Sequence, residues 1–340
     1  MELMLKRTIR PGALFPSDEA ELEQPEPMPK AQADTLKLHD APTGELRPFV
    51  PGPGTGAIGL VRVLGLNDGP DGRGTALTAV VERYLRGLGY TVAPAAADTV
   101  PDLAVVAADD AAPMARSIVR CGAVEAMAPT AGFDPEVVRL AWCAMPWGAP
   151  ASLTTEALEA AHTRIIYLMG TLLRINDLIA EVDRIPDHGN LMAPVVEVLS
   201  RFFEGFHASM CAGFDTAGAL VGIEALAARA GALTQGRKHI VPDRIYTLAA
   251  ARSAIVQAGQ PLGLLQRFPD QALAELEAQH LARLGLSMEA VERLIAARVA
   301  ARQSRDFSRA DAILAELHGM GVELMDGPWG TRVAVRRPEA

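Results

Sequence analysis

The run Ile58–Leu66, IGLVRVLGL, constrains the fold more than any other segment. Its length and apolar content read as a buried strand. A glycine-rich loop follows, Gly65-Leu66-Asn67-Asp68-Gly69-Pro70-Asp71-Gly72-Arg73-Gly74. Leu77, Val80, Val81, Tyr84, Leu85 and Leu88 then recur at helical spacing, which predicts a helix over about 75–88 closed by Gly89. Tyr90–Ala93 and Leu103–Ala107 read as two further strands, parallel to the first. Strand, loop, helix and strand in this order begin a parallel α/β unit.

The chemistry changes on either side of this unit. Residues 1–33 alternate Pro11, Pro16, Pro25, Pro27 and Pro29 with Asp18, Glu19, Glu21, Glu23 and Glu26. They hold too few apolar side chains to offset the entropy of ordering and read as a flexible tail. Beyond the unit, Gly132–Pro150 reads as a connector with one helix, Pro135–Met145, started by Asp134. From Thr154 the pattern is helical. Ile165, Leu168, Met169, Leu172, Ile175, Leu178 and Ile179 form one broad apolar face, and helices are predicted at about 191–210, 216–230, 242–258 and 270–284. Ile185–Asn190 is read as a turn and Gly236–Ile240 as a polar loop.

Composition narrows the function. A net charge of -9 excludes a global basic field, so any nucleic-acid contact has to be local, and DNA is not an expected partner. Cys121, Cys143 and Cys211 are odd in number and widely spaced, which argues against a disulfide framework and a cysteine-rich zinc site. His162, His188, His207, His239, His280 and His318 are scattered without ligand spacing. The absence of a secretory apolar region and of a long apolar run leads to the expectation of a cytoplasmic chain that does not span a membrane.

The segment Leu286–Val335 carries the most specific chemistry. Ser287 suits the N-cap of a helix over about 288–305. Arg298, Arg302, Arg305 and Arg309 recur at steps of four, three and four, which share one face if the helical phase persists through Asp306. A second helix, Arg309–His318, and two short strands joined through Asp326-Gly327-Pro328-Trp329-Gly330 complete a compact module. Single-stranded RNA is read on base edges and stacked on planar groups. Arginine forks anchor such bases, and aspartate accepts from their N–H groups. Arg298, Arg305, Arg309, Trp329 and Arg332 are candidates for backbone contact or stacking. The same charges could equally form a solvated face in which Glu292, Asp306 and Asp311 pair with the arginines.

This segment resembles the C-terminal region of cysteinyl-tRNA synthetases. The resemblance runs through Leu294, Ile295, Arg298, Arg302, Asp306, Phe307, Ala310, Asp311, Ile313, Leu317, Gly321, Val322, Leu324, Asp326, Gly327, Pro328, Gly330 and Thr331. It extends thinly upstream, through Leu262–Gln266, Phe214-Asp215-Thr216, Asp134–Val137 and Arg83-Tyr84-Leu85. It implies a reduced Rossmann-like α/β remnant over 34–132, a helical bundle over 133–285 and an anticodon-reading α+β module over 286–340. It also implies that Arg302, Asp311 and Asp326 read an anticodon, with cysteine tRNA as the expected partner.

The chain departs from the family where catalysis resides. The resemblance implies a histidine-rich turn at the first helix, a lysine-rich loop and a zinc site. Here the first turn falls on Asp68-Gly69-Pro70-Asp71, and two carboxylates would repel a polyphosphate. Ala123–Pro129 contains no lysine, and Leu64 stands where the first zinc cysteine is expected. Asp68, Gly69, Asp71, Gly72 and Arg73 thus read as a degenerate nucleotide loop, although glycines at a helix start could still admit a ligand. ATP and zinc, which the family uses, are not expected. The expected function is tRNA binding, or service as a partner subunit, without catalysis. The alternatives are a ligase completed by another subunit and a protein scaffold indifferent to RNA.

Overall fold

The structure is a computed structural model. It describes residues 36–335 apart from 41, 42, 44, 50–59, 97, 98, 109, 111–113, 183, 184, 188, 236–240, 328 and 329. The expected tail over 1–33 and the polar loop over 236–240 lie outside the described residues.

The α/β part comprises β1 (Lys37–Asp40), β2 (Leu46–Pro48), β3 (Leu60–Leu64), α1 (Arg73–Gly87), β4 (Thr91–Pro94), β5 (Leu103–Ala107) and β6 (Ser117–Cys121). These strands form one sheet in the order β2-β1-β6-β5-β3-β4. β3 is parallel to both β4 and β5, as the sequence predicts, and β5 is parallel to β6. β1 is antiparallel to β6 and to β2. Alternate residues Val61, Val63, Leu103, Val105, Val119 and Cys121 join the main core with Leu77, Val80, Val81, Tyr84 and Leu85 of α1. The intervening Ala104, Val106 and Ile118 pack with Ala115 in a second small cluster. Burial on both faces explains why these strands read as continuous apolar runs rather than alternating ones.

A short parallel pair, β7 (Val124–Met127) and β8 (Ala151–Leu153), flanks α2 (Pro135–Cys143). Asp134 starts α2 by accepting the Glu136 N–H at 2.8 Å, ahead of Pro135 at the first helical position. One buried cation ties this region to the sheet. Arg73, fully buried at the start of α1, donates from Nη1 to the carbonyls of Gly122 at 3.0 Å and Ala149 at 2.8 Å, and from Nη2 to that of Pro146. Its guanidinium lies between the rings of Trp142 and Trp147, 5.7 and 5.9 Å from their centroids. Gly122 is required there, because a Cβ would meet the Ala149 carbonyl at 2.1 Å.

The helical part comprises α3 (Thr155–Ala180), α4 (Val195–Cys211), α5 (Thr216–Leu233), α6 (Pro242–Leu262) and α7 (Pro269–Arg283). Thr154 and Asp215 cap α3 and α5 through the N–H groups of Ala157 and Gly218. Gly263, at φ 67°, ends α6 in the left-handed conformation that glycine adopts without strain. On α3, Leu158, Ile165, Leu168, Met169, Leu172, Ile175 and Ile179 are buried at steps of three and four. They belong to the same core as the sheet, so the α/β part and the bundle share one continuous interior. The α5 helix is apolar and long enough, by composition, to cross a membrane. It packs against α3, α4 and α6, and its Glu224 pairs with Arg164 at 2.6 Å. Arg267 pins the bundle to α2, holding Asp134 at 3.0 Å, Glu136 at 2.9 Å and Glu275 at 2.9 Å.

The terminal module comprises α8 (Met288–Gln303), α9 (Phe307–Gly319), β9 (Val322–Gly327) and β10 (Gly330–Val335). It has its own small core, Val291, Ile313, Leu317 and Val322, which also takes in Leu281 of α7.

Two buried histidines make the fold acid-sensitive. His162 is fully buried and stacks on His280 at 5.4 Å. Burial, with Arg283 and His280 adding to it, pushes its pKa down from 6.5 to about 3. Burial alone pushes His207, 3.1 Å from the Tyr84 hydroxyl, down to about 4. Above pH 6.5 both rings are neutral whether folded or unfolded, and their contribution to stability is fully present. As pH falls through that value the unfolded chain takes up protons that the fold refuses. Stability is then lost until the folded values near 4 and 3 are passed, at up to about 1.4 kcal/mol per pH unit per histidine. Urea denaturation between pH 7 and pH 4 should show this slope, and His162→Leu should flatten it. Arg73→Met should cost about 1–3 kcal/mol, because the buried Gly122 carbonyl loses its donor along with the half-buried contacts to Pro146 and Ala149, seen as a lower denaturation midpoint.

Candidate nucleic-acid interface

The terminal module gathers part of the expected site into one cleft. Ser287 caps α8, its hydroxyl accepting the Ala290 N–H at 3.2 Å, and Arg298 and Arg302 stand one helical turn apart. The helix stops at Gln303, and Arg305 takes a left-handed φ of 60°. The Asp306 carboxylate then accepts the Arg309 N–H at 3.1 Å and starts α9. Phe307 and Asp311 stand one turn apart on α9. Arg298, Arg302, Phe307, Ala310 and Asp311 line an open cleft of about 240 Å³ between the two helices. That volume is below the roughly 300–1,000 Å³ of drug-sized sites and suits a single planar group. Arg298 is 7% exposed and lies at the base, while Arg302 and Asp311 are exposed at the rim. Phe307 is 60% exposed, a large apolar ring held in solvent beside a cation and a carboxylate.

The four-arginine stripe is therefore not one face of one helix. The left-handed turn at Arg305 breaks the helical phase, and α9 begins at Phe307 rather than Arg309. Arg298 and Arg302 enter the cleft; Arg305 and Arg309 do not line it. Asp326 lies on β9 opposite Thr331, and Arg332 lies on β10 opposite Met325. Trp329 lies outside the described residues. Phe307, by contrast, was not singled out for chemistry. Its position four residues before Asp311 was the available signal, since that spacing puts both on one helical face.

The glycine-rich loop, 65–72, sits at the other characteristic place. The chain leaves β3 toward β4 on one side of the sheet, while β5 leads to β6 on the other. The loop after β3 thus lies at a topological switch point, where open α/β sheets bind ligands. Its polar groups are already satisfied. The Asp68 carboxylate accepts the N–H groups of Gly74 at 2.8 Å and Thr75 at 2.9 Å, the first free donors of α1. These are the groups a helix start offers to a phosphate. Gly72 makes the closure possible, because a Cβ there would lie 2.0 Å from the Asp68 carboxylate. Asp71 accepts from the Thr130 hydroxyl at 2.6 Å through its side chain and from Trp142 Nε1 at 2.9 Å through its carbonyl. Gly69 turns the loop at φ 102°, and Arg73 points into the interior. A phosphate at this helix start would have to displace the Asp68 carboxylate from its own hydrogen bonds. Among the described residues no three His, Cys, Asp or Glu side chains converge as metal ligands. Burial raises the Cys121 thiol and pushes Cys143 up to about 12, which removes thiolate character at neutral pH.

Comparison with known proteins bears on these two sites. No family model matches the chain. A cysteine–tRNA ligase of Anaeromyxobacter sp. (strain Fw109-5) is 33% identical over 201 residues, 59% of this chain and 39% of the relative. Those of Geobacter metallireducens and Caulobacter vibrioides (strain NA1000 / CB15N) are each 31% identical, over 212 and 202 residues. The chain spans 36% to 42% of the length of these curated relatives. Over some three fifths of its own length, the chain is similar to cysteine–tRNA ligases.

Proposed function

We propose that this chain binds tRNA through the α8–α9 cleft and does not activate an amino acid. The observation that carries the reading is the convergence of Arg298, Arg302 and Asp311 with an exposed phenylalanine in one cleft. A base entering it would stack on Phe307, receive hydrogen bonds from Arg302 and donate to the Asp311 carboxylate. Desolvation strengthens such bonds, and the nearly buried Arg298 adds a second cation below the base. With a net charge of -9, the chain has no basic field to hold RNA nonspecifically, so affinity has to come from this local fit. Cysteine tRNA is the partner that the relatives' name suggests.

The second half of the proposal rests on Asp68. Amino-acid activation needs donors and cations aimed at the developing phosphate charge. The loop instead presents a carboxylate bonded to its own helix start.

Arg302→Ala should weaken binding of cysteine tRNA by about 1–3 kcal/mol in fluorescence anisotropy, the scale of one good base contact. Phe307→Ala should cost a similar amount, about 1–3 kcal/mol, through lost stacking. Unchanged affinity in both variants, or no binding by the parent chain, would overturn the RNA reading. Pyrophosphate exchange with ATP and cysteine should show no turnover, with or without Asp68→Ser; cysteine-dependent exchange by the purified chain would overturn the non-catalytic reading.

A further inference from the structure

Away from both sites, two arginines meet at the end of α6 without a carboxylate between them. Arg83 projects from α1 and Arg139 from α2, and both are half-buried. Arg139 Nη1 donates to the Gly263 carbonyl at 2.5 Å. Arg83 Nη1 packs against the same glycine, 2.5 Å from where a Cβ would stand, so the close approach requires a glycine. That Nη1 is buried and meets no hydrogen-bond acceptor among the described residues. Burial lowers the pKa of Arg83, and the neighbouring Arg139 charge lowers it further.

Among the described residues neither arginine makes a salt bridge, and three acids pair with other arginines. Glu82 pairs with Arg86 at 3.0 Å, Glu224 with Arg164 at 2.6 Å, and Glu136 with Arg267 at 2.9 Å. What remains to balance two guanidinium charges is the C-terminal end of α6. A helix terminus supplies about half a negative charge, less than two guanidinium groups carry. A buried cation without a partner is destabilising, and guanidinium forks match tetrahedral oxyanions in shape.

We propose that Arg83 and Arg139 form a binding site for the oxyanion of a phosphate group. The phosphate accepts from the Arg83 guanidinium and from the remaining N–H groups of Arg139, drawing Arg83 Nη1 away from its place against Gly263. The site is independent of the α8–α9 cleft and stands or falls apart from it.

The test titrates inorganic phosphate into the full chain at constant ionic strength and reads binding by calorimetry and by thermal denaturation. Saturable binding that raises Tm is expected, and Arg83→Gln should weaken it by about tenfold or more, the worth of charge-assisted hydrogen bonds. Arg302→Ala should leave it unchanged, which separates this site from the tRNA cleft. In a second arm, a drop in affinity for tRNA on Arg83→Gln would identify the source as an RNA backbone phosphate; loss of inorganic phosphate binding alone would identify a free phosphate compound. Should Arg83→Gln fail to fold, a selenate soak of crystals of the parent chain decides, through an anomalous peak between the two guanidinium groups. No saturable binding by the parent chain, undiminished binding in a folded Arg83→Gln, or no selenate peak overturns the proposal.

Discussion

A guanidinium with no exposed surface has to find its acceptors inside the protein, and Arg73 finds them in two loops remote in sequence. Gly122 lies between β6 and β7, and Pro146 and Ala149 lie between α2 and β8. One side chain at the first residue of α1 therefore fixes where the sheet ends, where the connector turns back and how α2 is seated. The flanking Trp142 and Trp147 keep water from competing for those bonds. Trp142 also donates to the Asp71 carbonyl, so the same cluster holds the glycine-rich loop. The loop is shaped from beneath by the interior rather than from above by a ligand.

The two functional ends of the chain are built on different principles. The α/β part and the helical bundle share one core, and polar pins such as Arg267 and the Tyr84–His207 contact cross between them. The terminal module keeps a small core of its own, joined to the bundle by Leu281. A module with few shared apolar contacts can hold its cleft geometry without depending on the sheet. The α8–α9 cleft thus rests on its own helices, apart from the glycine-rich loop.

Much of this architecture is legible in the sequence. The helical periodicities of 154–284 gave the bundle, because apolar faces at steps of three and four have few other uses. The β3–α1–β4 unit was legible for the same reason. β6, β7 and β8 were not foreseen: they are three to five residues long and are held by pairing with distant strands, a long-range effect that local pattern does not carry. In the candidate site, Arg298, Arg302 and Asp311 were legible as residue types at a spacing. The end of α8 at Gln303 was not, since nothing in Arg305 itself announces a left-handed turn. Likewise Asp68 was legible as a repelling charge, but its bonds to Gly74 and Thr75 depend on a fold-back of six and seven residues.

The fold-back of Asp68 onto the helix start limits how this loop can change. While the Asp68 carboxylate satisfies the helix start, replacing it by a side chain without an acceptor oxygen exposes two backbone donors and weakens α1. Freeing those donors for a phosphate would mean giving up the side chain that starts the helix. A loop that caps its own helix in this way exchanges an open anion site for a firmer helix start.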